Sequence, residues 1–230
     1  MKKTNADARC ATCPGSMRDK ACTSEKKKGK SAKGCPTVSK KTLLSRAVKE
    51  YAKQNIGEFA RNASIQEGEC YAGRDKKPYT MHPVKPRILE ICEFAEKMGY
   101  KKLGLVFCGG LAREGEAVSH ILENRGFDVV SVMCKAGGVP KEEIGIRESE
   151  KIHIGDFEPM CNPIFQAYVV NDAKTDFNVL LGLCVGHDSL FFKHTEAPTT
   201  VLAVKDRVTG HNPLAAIYLS GSYYAWLDKT

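Results

Sequence analysis

The sequence predicts an α/β fold: a mainly parallel open sheet with helices on both faces, preceded by a small four-cysteine metal-binding arm and helices. Three observations carry that expectation. Short apolar runs recur at "LGLVF" (103–107), "FDVVSVM" (127–133), "FNVLLGL" (177–183) and "TVLAVK" (200–205), the form that strands covered on both faces take. Helical patterns separate these runs, and a β-α-β order joins parallel strands through crossovers. Residues 1–41, by contrast, hold 12 Lys and Arg against 3 Asp and Glu, and four of the ten cysteines.

The arm comes first. Its cysteines, Cys10, Cys13, Cys22 and Cys35, are spaced C-x2-C-x8-C-x12-C. Four thiolates without a local apolar core are how a small loop is closed by tetrahedral zinc, and the spacing with Cys35-Pro36 also suits an iron-sulfur cluster. The tract "SEKKKGKSAKG" (24–34) reads as a solvated loop. A basic run can meet RNA phosphates, but Arg and interleaved aromatics are scarce, so nucleic acid is not the expected partner.

Residues 42–100 form a helical segment that packs on the core. "TLLSRAVKEYAKQNIGEFARNA" sets Leu44, Val48, Tyr51 and Ala52 on one face of a helix. "KPRILEICEFAEKMGY" gives another, with Pro86 near its start, a stripe of Ile88, Cys92 and Ala95, and Gly99 as its stop. Residues 101–230 are the parallel-sheet domain. Helices are expected at about 111–125, closed by Gly126, at 163–174, at 188–194, and after "HNP" near the end.

With 230 residues and 42% hydrophobic content the chain can bury a substantial core. No run approaches the roughly 18 apolar residues of a membrane helix, and "MKKTNADARC" lacks the apolar stretch of a signal peptide. A cytoplasmic protein is expected. In a reducing compartment ten cysteines point to metal or redox chemistry before disulfides.

An open parallel sheet forms its site outside the carboxyl ends of its strands. Cys108 follows the first strand, Cys134 the second, Cys184 with His187 and Asp188 the third, and Lys205, Asp206 and Arg207 the fourth. Cys161 stands just before Pro163 at a helix start, where the positive end of the dipole favours a thiolate. Cys108, Cys134 and Cys184 are therefore the expected ligands of a metal or cluster, and Cys161 a fourth ligand or the reactive thiol. His187 and Asp188 are candidates for acid-base work, although Asp188 alone would make a good helix cap. Lys205, Asp206 and Arg207 are candidates for holding an anionic substrate. Cys70 and Cys92 are assigned to packing or surface.

The segments "CATCPG", "VFCGGLAREGEAVSHIL", "GFDVVSVMCKAGGVPKEEIG", "MCNPIFQA" and "GLCVGHDSLFFKHTEAPTTVLAVKDRVTGHNP" together resemble the prokaryotic family called domain of unknown function 1847. The resemblance extends over nearly the whole chain and implies metal binding. In layout alone, the chain is similar to enzymes that hold a [4Fe-4S] cluster by cysteines at the ends of parallel strands, thiouracil desulfidases and hydroxyacyl-CoA dehydratases among them.

The leading expectation is an iron-sulfur protein, with redox or sulfur-transfer (desulfidase-like) enzymatic activity, that meets a small-molecule substrate or an electron donor. The alternative is a zinc-structured binding module whose basic arm contacts RNA or a protein.

Overall fold

The computed structural model describes residues 7–25 and 27–228. The opening residues used for the leader reading and Lys26 of the lysine-rich tract lie outside them. The chain divides into two compact units, residues 1–65 and 66–230.

In the first unit the arm is built from single turns at Cys10–Thr12, Met17–Asp19, Ala21–Thr23 and Pro36–Ser39. The lysine-rich loop folds back on residues 19–21, with Lys30 N–H donating to the Asp19 carbonyl at 2.8 Å and Ala21 N–H to the Lys30 carbonyl at 3.0 Å. Gly29 permits this approach, because a Cβ there would lie 2.5 Å from the Asp19 carbonyl oxygen.

The single helix expected from residue 42 is two, α1 (Lys41–Glu50) and α2 (Gln54–Glu69). Gly57 explains the corner. Its missing Cβ lets the Tyr51 carbonyl approach, and a side chain there would stand 2.6 Å from that oxygen. The stripe of Leu44, Val48, Tyr51 and Ala52 is exposed, so its periodicity marked a helix without marking a buried face.

In the second unit a short antiparallel ladder joins Tyr71–Ala72 to His82–Pro83, followed by α3 (Arg87–Lys97). The sheet consists of β1 (Lys102–Phe107), β2 (Asp128–Met133), β3 (Phe177–Leu181) and β4 (Thr199–Ala203). All pairings are parallel and the spatial order is β2-β1-β3-β4. The order reverses between β1 and β3, so a crevice opens between the loops that leave those two strands.

Helices α4 (Ala112–Asn124), α5 (Pro163–Asp172) and α6 (His187–His194) follow β1, precede β3 and follow β3 respectively; α7 (Leu214–Tyr218) comes after β4. Phe107 packs on Gly115 of α4. Val106, Val132 and Leu180, pointing the opposite way, pack with Ala167 and Val170 of α5 and Phe191 of α6. The two faces of the sheet are thus covered by different helices, as the apolar runs required.

The expected stops hold for simple reasons. Gly99 (φ 71°) and Gly126 (φ 85°) are left-handed, and the residues after them, Tyr100 and Phe127, donate back to Ala95 and Leu122 at 3.0 and 3.2 Å. β3 ends two residues earlier than expected because Gly182 turns at φ 71°. Cys92 is fully buried, and Cys70, 6% exposed, donates its thiol to the Gln66 carbonyl at 3.0 Å, so both serve packing. No helix among the described residues is long and apolar enough to cross a membrane.

Candidate thiol centre at the sheet edge

Alternation along β1 and β2 puts Cys108 and Cys134 on the face that carries Val106 and Val132, toward α5. The ladder continues past the strands: Cys134 N–H donates to the Phe107 carbonyl at 2.8 Å, and Cys108 N–H to the Leu181 carbonyl at 3.1 Å. A third segment is laid alongside. Lys135 Nζ donates to the Pro159 carbonyl at 2.6 Å, Met160 N–H to the Val139 carbonyl at 2.7 Å, and Asn162 N–H to the Cys134 carbonyl at 2.7 Å. Cys161 is held between those last two bonds. Asn162 Oδ1 then caps α5 by accepting from Phe165 N–H at 3.0 Å, and Pro163 opens the helix with its preset φ.

The result is a group of three thiols, Cys108 and Cys134 within one buried cluster and Cys161 packed against it, near enough for each to act on the ionisation of its neighbours. Gly109 N–H also points at Cys134 Sγ, at 3.3 Å. Cys134 is 2% exposed and Cys108 9%, whereas Cys161 is half-buried. The neighbouring Cys134 thiol, the Gly110 backbone and the Lys205 ammonium hold the Cys108 thiol down at about 5. The neighbouring Cys134 thiol, then Lys135 and His187, lower Cys161 to about 5. Cys134 itself is driven up by its two sulfur neighbours and by burial. It has one proton and can serve one of them at a time, so the lowering is firmest at Cys161, which also has the Lys135 ammonium beside it.

The remaining candidates divide. Cys184 Sγ accepts from Arg207 Nη2 at 3.2 Å, placing the thiol of the third strand beside the cation of the fourth loop. Gly182 breaks the strand alternation before Cys184, and among the described contacts Cys184 is not joined to the Cys134 cluster. Lys205 Nζ and Cys108 Sγ flank Gly110 together, and His187 opens α6 within electrostatic range of Cys161. Asp188 is occupied locally, its Oδ1 accepting from Gly186 and Ser189 N–H at 3.0 and 2.7 Å. Asp206 likewise accepts from Val208 and Thr209 N–H, both at 3.0 Å. These two carboxylates shape their loops.

In the arm, Cys10 and Cys22 are exposed and Cys13 and Cys35 half-buried. Among the described residues no group of three or more His, Cys, Asp or Glu side chains is arranged, as it stands, to hold a metal ion. At the sheet edge Cys108, Cys134 and Cys161 pack together. Their chemistry, clustered soft donors beside N–H groups and cations, nevertheless matches what a thiolate-bound metal needs.

Sequence reading missed Gln166. Fully buried, it donates from Nε2 to the carbonyls of Phe107 and Val132 at 3.2 and 2.7 Å, clamping together the strand ends that carry Cys108 and Cys134. Its Oε1 is buried with no partner among the described residues. A polar residue within the buried stripe Pro163, Gln166, Ala167 and Val170 was the available signal.

A thiol lowered to about 5 is ionised throughout the neutral range. In metal-free protein, iodoacetamide should therefore label Cys161 at a rate that changes less than about twofold from pH 7 to 9, where an unshifted thiol gains about 25-fold. A steep rise over that interval, read by peptide mass, would contradict the electrostatic picture.

The model of a family described as protein of unknown function, DUF1847, matches residues 35–202. That span contains Cys108, Cys134, Cys161 and Cys184, while Cys10, Cys13 and Cys22 precede it. An uncharacterized protein of Methanocaldococcus jannaschii is 41% identical over 179 residues, covering 78% of this chain and 85% of that protein. No solved structure matches.

Proposed function

The chain belongs to the DUF1847 family, and from that premise, which assigns no reaction, we propose that it is a metal-binding protein whose sheet-edge thiols hold an iron-sulfur cluster. The single observation behind this reading is the Cys108, Cys134 and Cys161 cluster at the carboxyl end of a parallel sheet, bordered by Lys135, His187 and Lys205. Three thiolates brought together repel one another, and nearby cations and N–H groups offset that charge.

The protein's own groups have distinct work. Cys108, Cys134 and Cys161 would be ligands, and Cys184 would remain beside Arg207 as a fourth ligand or a substrate-facing thiol. His187 exchanges a proton near Cys161, and Lys205 and Arg207 attract an anionic substrate group. A bound cluster would supply electron transfer or an electrophilic iron for sulfur or redox chemistry. A cytoplasmic, reducing setting suits such thiols.

Anaerobic purification followed by an absorption spectrum and Fe, Zn and acid-labile sulfide analysis tests this. We expect a coloured protein with about four iron and four sulfide per chain. A colourless protein containing zinc alone would reject the cluster and assign the same thiols to zinc; no metal would reject both.

The arm is proposed as a second, structural metal site. Ala21 is its one buried apolar side chain among the described residues of the arm, too little to fold it unaided. Chelation or Cys13→Ser should make residues 1–41 protease-sensitive and leave the 66–230 unit intact. Unchanged protection without metal would remove that site.

A further inference from the structure

The three clustered thiols differ in exposure, and the difference runs in one direction. Cys161 is half-buried, Cys134 is 2% exposed and Cys108 9%. Cys161 stands just before the N-terminus of the ten-residue helix α5, in the segment that the Lys135 side chain anchors by donating from Nζ to the Pro159 carbonyl at 2.6 Å. The Cys161 side chain packs against the buried cluster that contains Cys134, and the backbone on either side is fixed against that thiol and the loop after it, by Met160 N–H to the Val139 carbonyl at 2.7 Å and Asn162 N–H to the Cys134 carbonyl at 2.7 Å. A partly accessible thiol with a buried thiol packed beside it is the arrangement that thiol-disulfide exchange requires.

We infer that, when free of metal, Cys161 and Cys134 form a thiol-disulfide exchange pair for small disulfides, with Cys161 attacking and Cys134 resolving. The Cys161 thiolate attacks one sulfur of an external disulfide, forming a mixed disulfide and expelling the first thiolate. Cys134 sulfur then attacks Cys161 sulfur, the mixed bond breaks, and the second external thiolate leaves. The proton that Cys161 gave up to solvent before attack and the one that Cys134 loses as it attacks are together taken up by the two departing thiolates. The external disulfide is reduced by two electrons and the protein gains one Cys134–Cys161 bond. This chemistry uses the metal-free chain and does not depend on which metal the thiols hold.

Neither partner is replaceable by a neighbour at equal distance from solvent. Cys108 contacts Cys134 but is more deeply placed than Cys161, and Cys184 is paired with Arg207. Small disulfides therefore reach the cluster through Cys161.

Oxidised glutathione is the probe. Full-length protein, stripped of metal with a chelator and reduced, is treated with it anaerobically and read by intact mass and peptide mapping. We expect loss of two hydrogens and a Cys134–Cys161 linked peptide. Cys161→Ser should slow formation of a sheet-edge disulfide by at least about tenfold. Cys134→Ala should stop at a glutathione adduct on Cys161, with circular dichroism confirming that the fold is retained; Cys70→Ser should behave as the parent. Glutathione accumulating only on arm cysteines, a disulfide that excludes Cys161, or a Cys134→Ala protein that fails to trap the adduct while folded would each overturn the inference. Metal content, measured separately, decides the function proposed above, so the two can fail independently.

Discussion

Cys134→Ser should empty the sheet edge of metal while leaving the protein folded. Cys134 is the sulfur that contacts both of the others, and a hard, protonated hydroxyl replaces a soft thiolate there. The roughly four iron and four sulfide of the sheet edge should be lost, any metal of the arm staying in place, and the absorption of that cluster should vanish. Cys92→Ser is the control, because Cys92 is buried in α3 and its loss should lower stability modestly without changing metal content. A second readout needs no metal. Cys134→Ala deletes the thiol that does most to lower Cys161, so the alkylation profile should move up toward that of an ordinary thiol. Full metal retention in Cys134→Ser would show that the cluster of sulfurs is not the metal centre.

Gly104→Ala should be the most destabilising single methyl in the sheet. Gly104 lies in the middle of β1, where an added Cβ would overlap Asn178 Oδ1 and stand 3.0 Å from Val170 Cγ1. Asn178 cannot give way cheaply. Fully buried, it accepts from Thr175 Oγ1 at 2.8 Å and donates to Thr195 Oγ1 at 2.8 Å. The methyl forces either overpacking or the loss of a buried hydrogen bond, each costing about 1–3 kcal/mol. The transition should fall by about 5–10 °C in thermal unfolding. Gly221→Ala, whose Cβ meets nothing within 4 Å, should be neutral by comparison. A Gly104→Ala protein as stable as the parent would mean that the packing between β1 and β3 is looser than described.

Most of the sheet was legible because buried parallel strands announce themselves as apolar runs. Leu103, Leu105 and Val106 are all fully buried, and that requires no knowledge of partners. Glycine stops were legible for a local reason too, since the left-handed turns at Gly99 and Gly126 depend on one residue. The α1/α2 corner was not, because it depends on how Gly57 meets a carbonyl six residues away. At the site, strand alternation made Cys108 and Cys134 readable as neighbours. Cys161 joins them through hydrogen bonds to the loop after β2 that no periodicity encodes. Cys184 looked equivalent to the other strand-end thiols, but the turn at Gly182 ends the alternation before reaching it. Gln166 was hidden inside an apolar helix pattern.

The hydrogen bonds that fix Cys161 beside Cys134 also form a neck. Pro140 and Pro159 face each other across it, and Lys141 Nζ meets Glu158 Oε1 at 2.6 Å just beyond. The 18 residues between the prolines are closed off at their base. Their own latch is ionic: Lys141 holds the Glu158 carboxyl down at about 2, so the contact is intact above the usual carboxylate range and fades only as pH falls toward that value. A lobe tied at its stem in this way can be lengthened, shortened or decorated at its tip without moving the two sulfurs apart. It is the natural insertion point for a reporter or tether that must leave the thiols undisturbed.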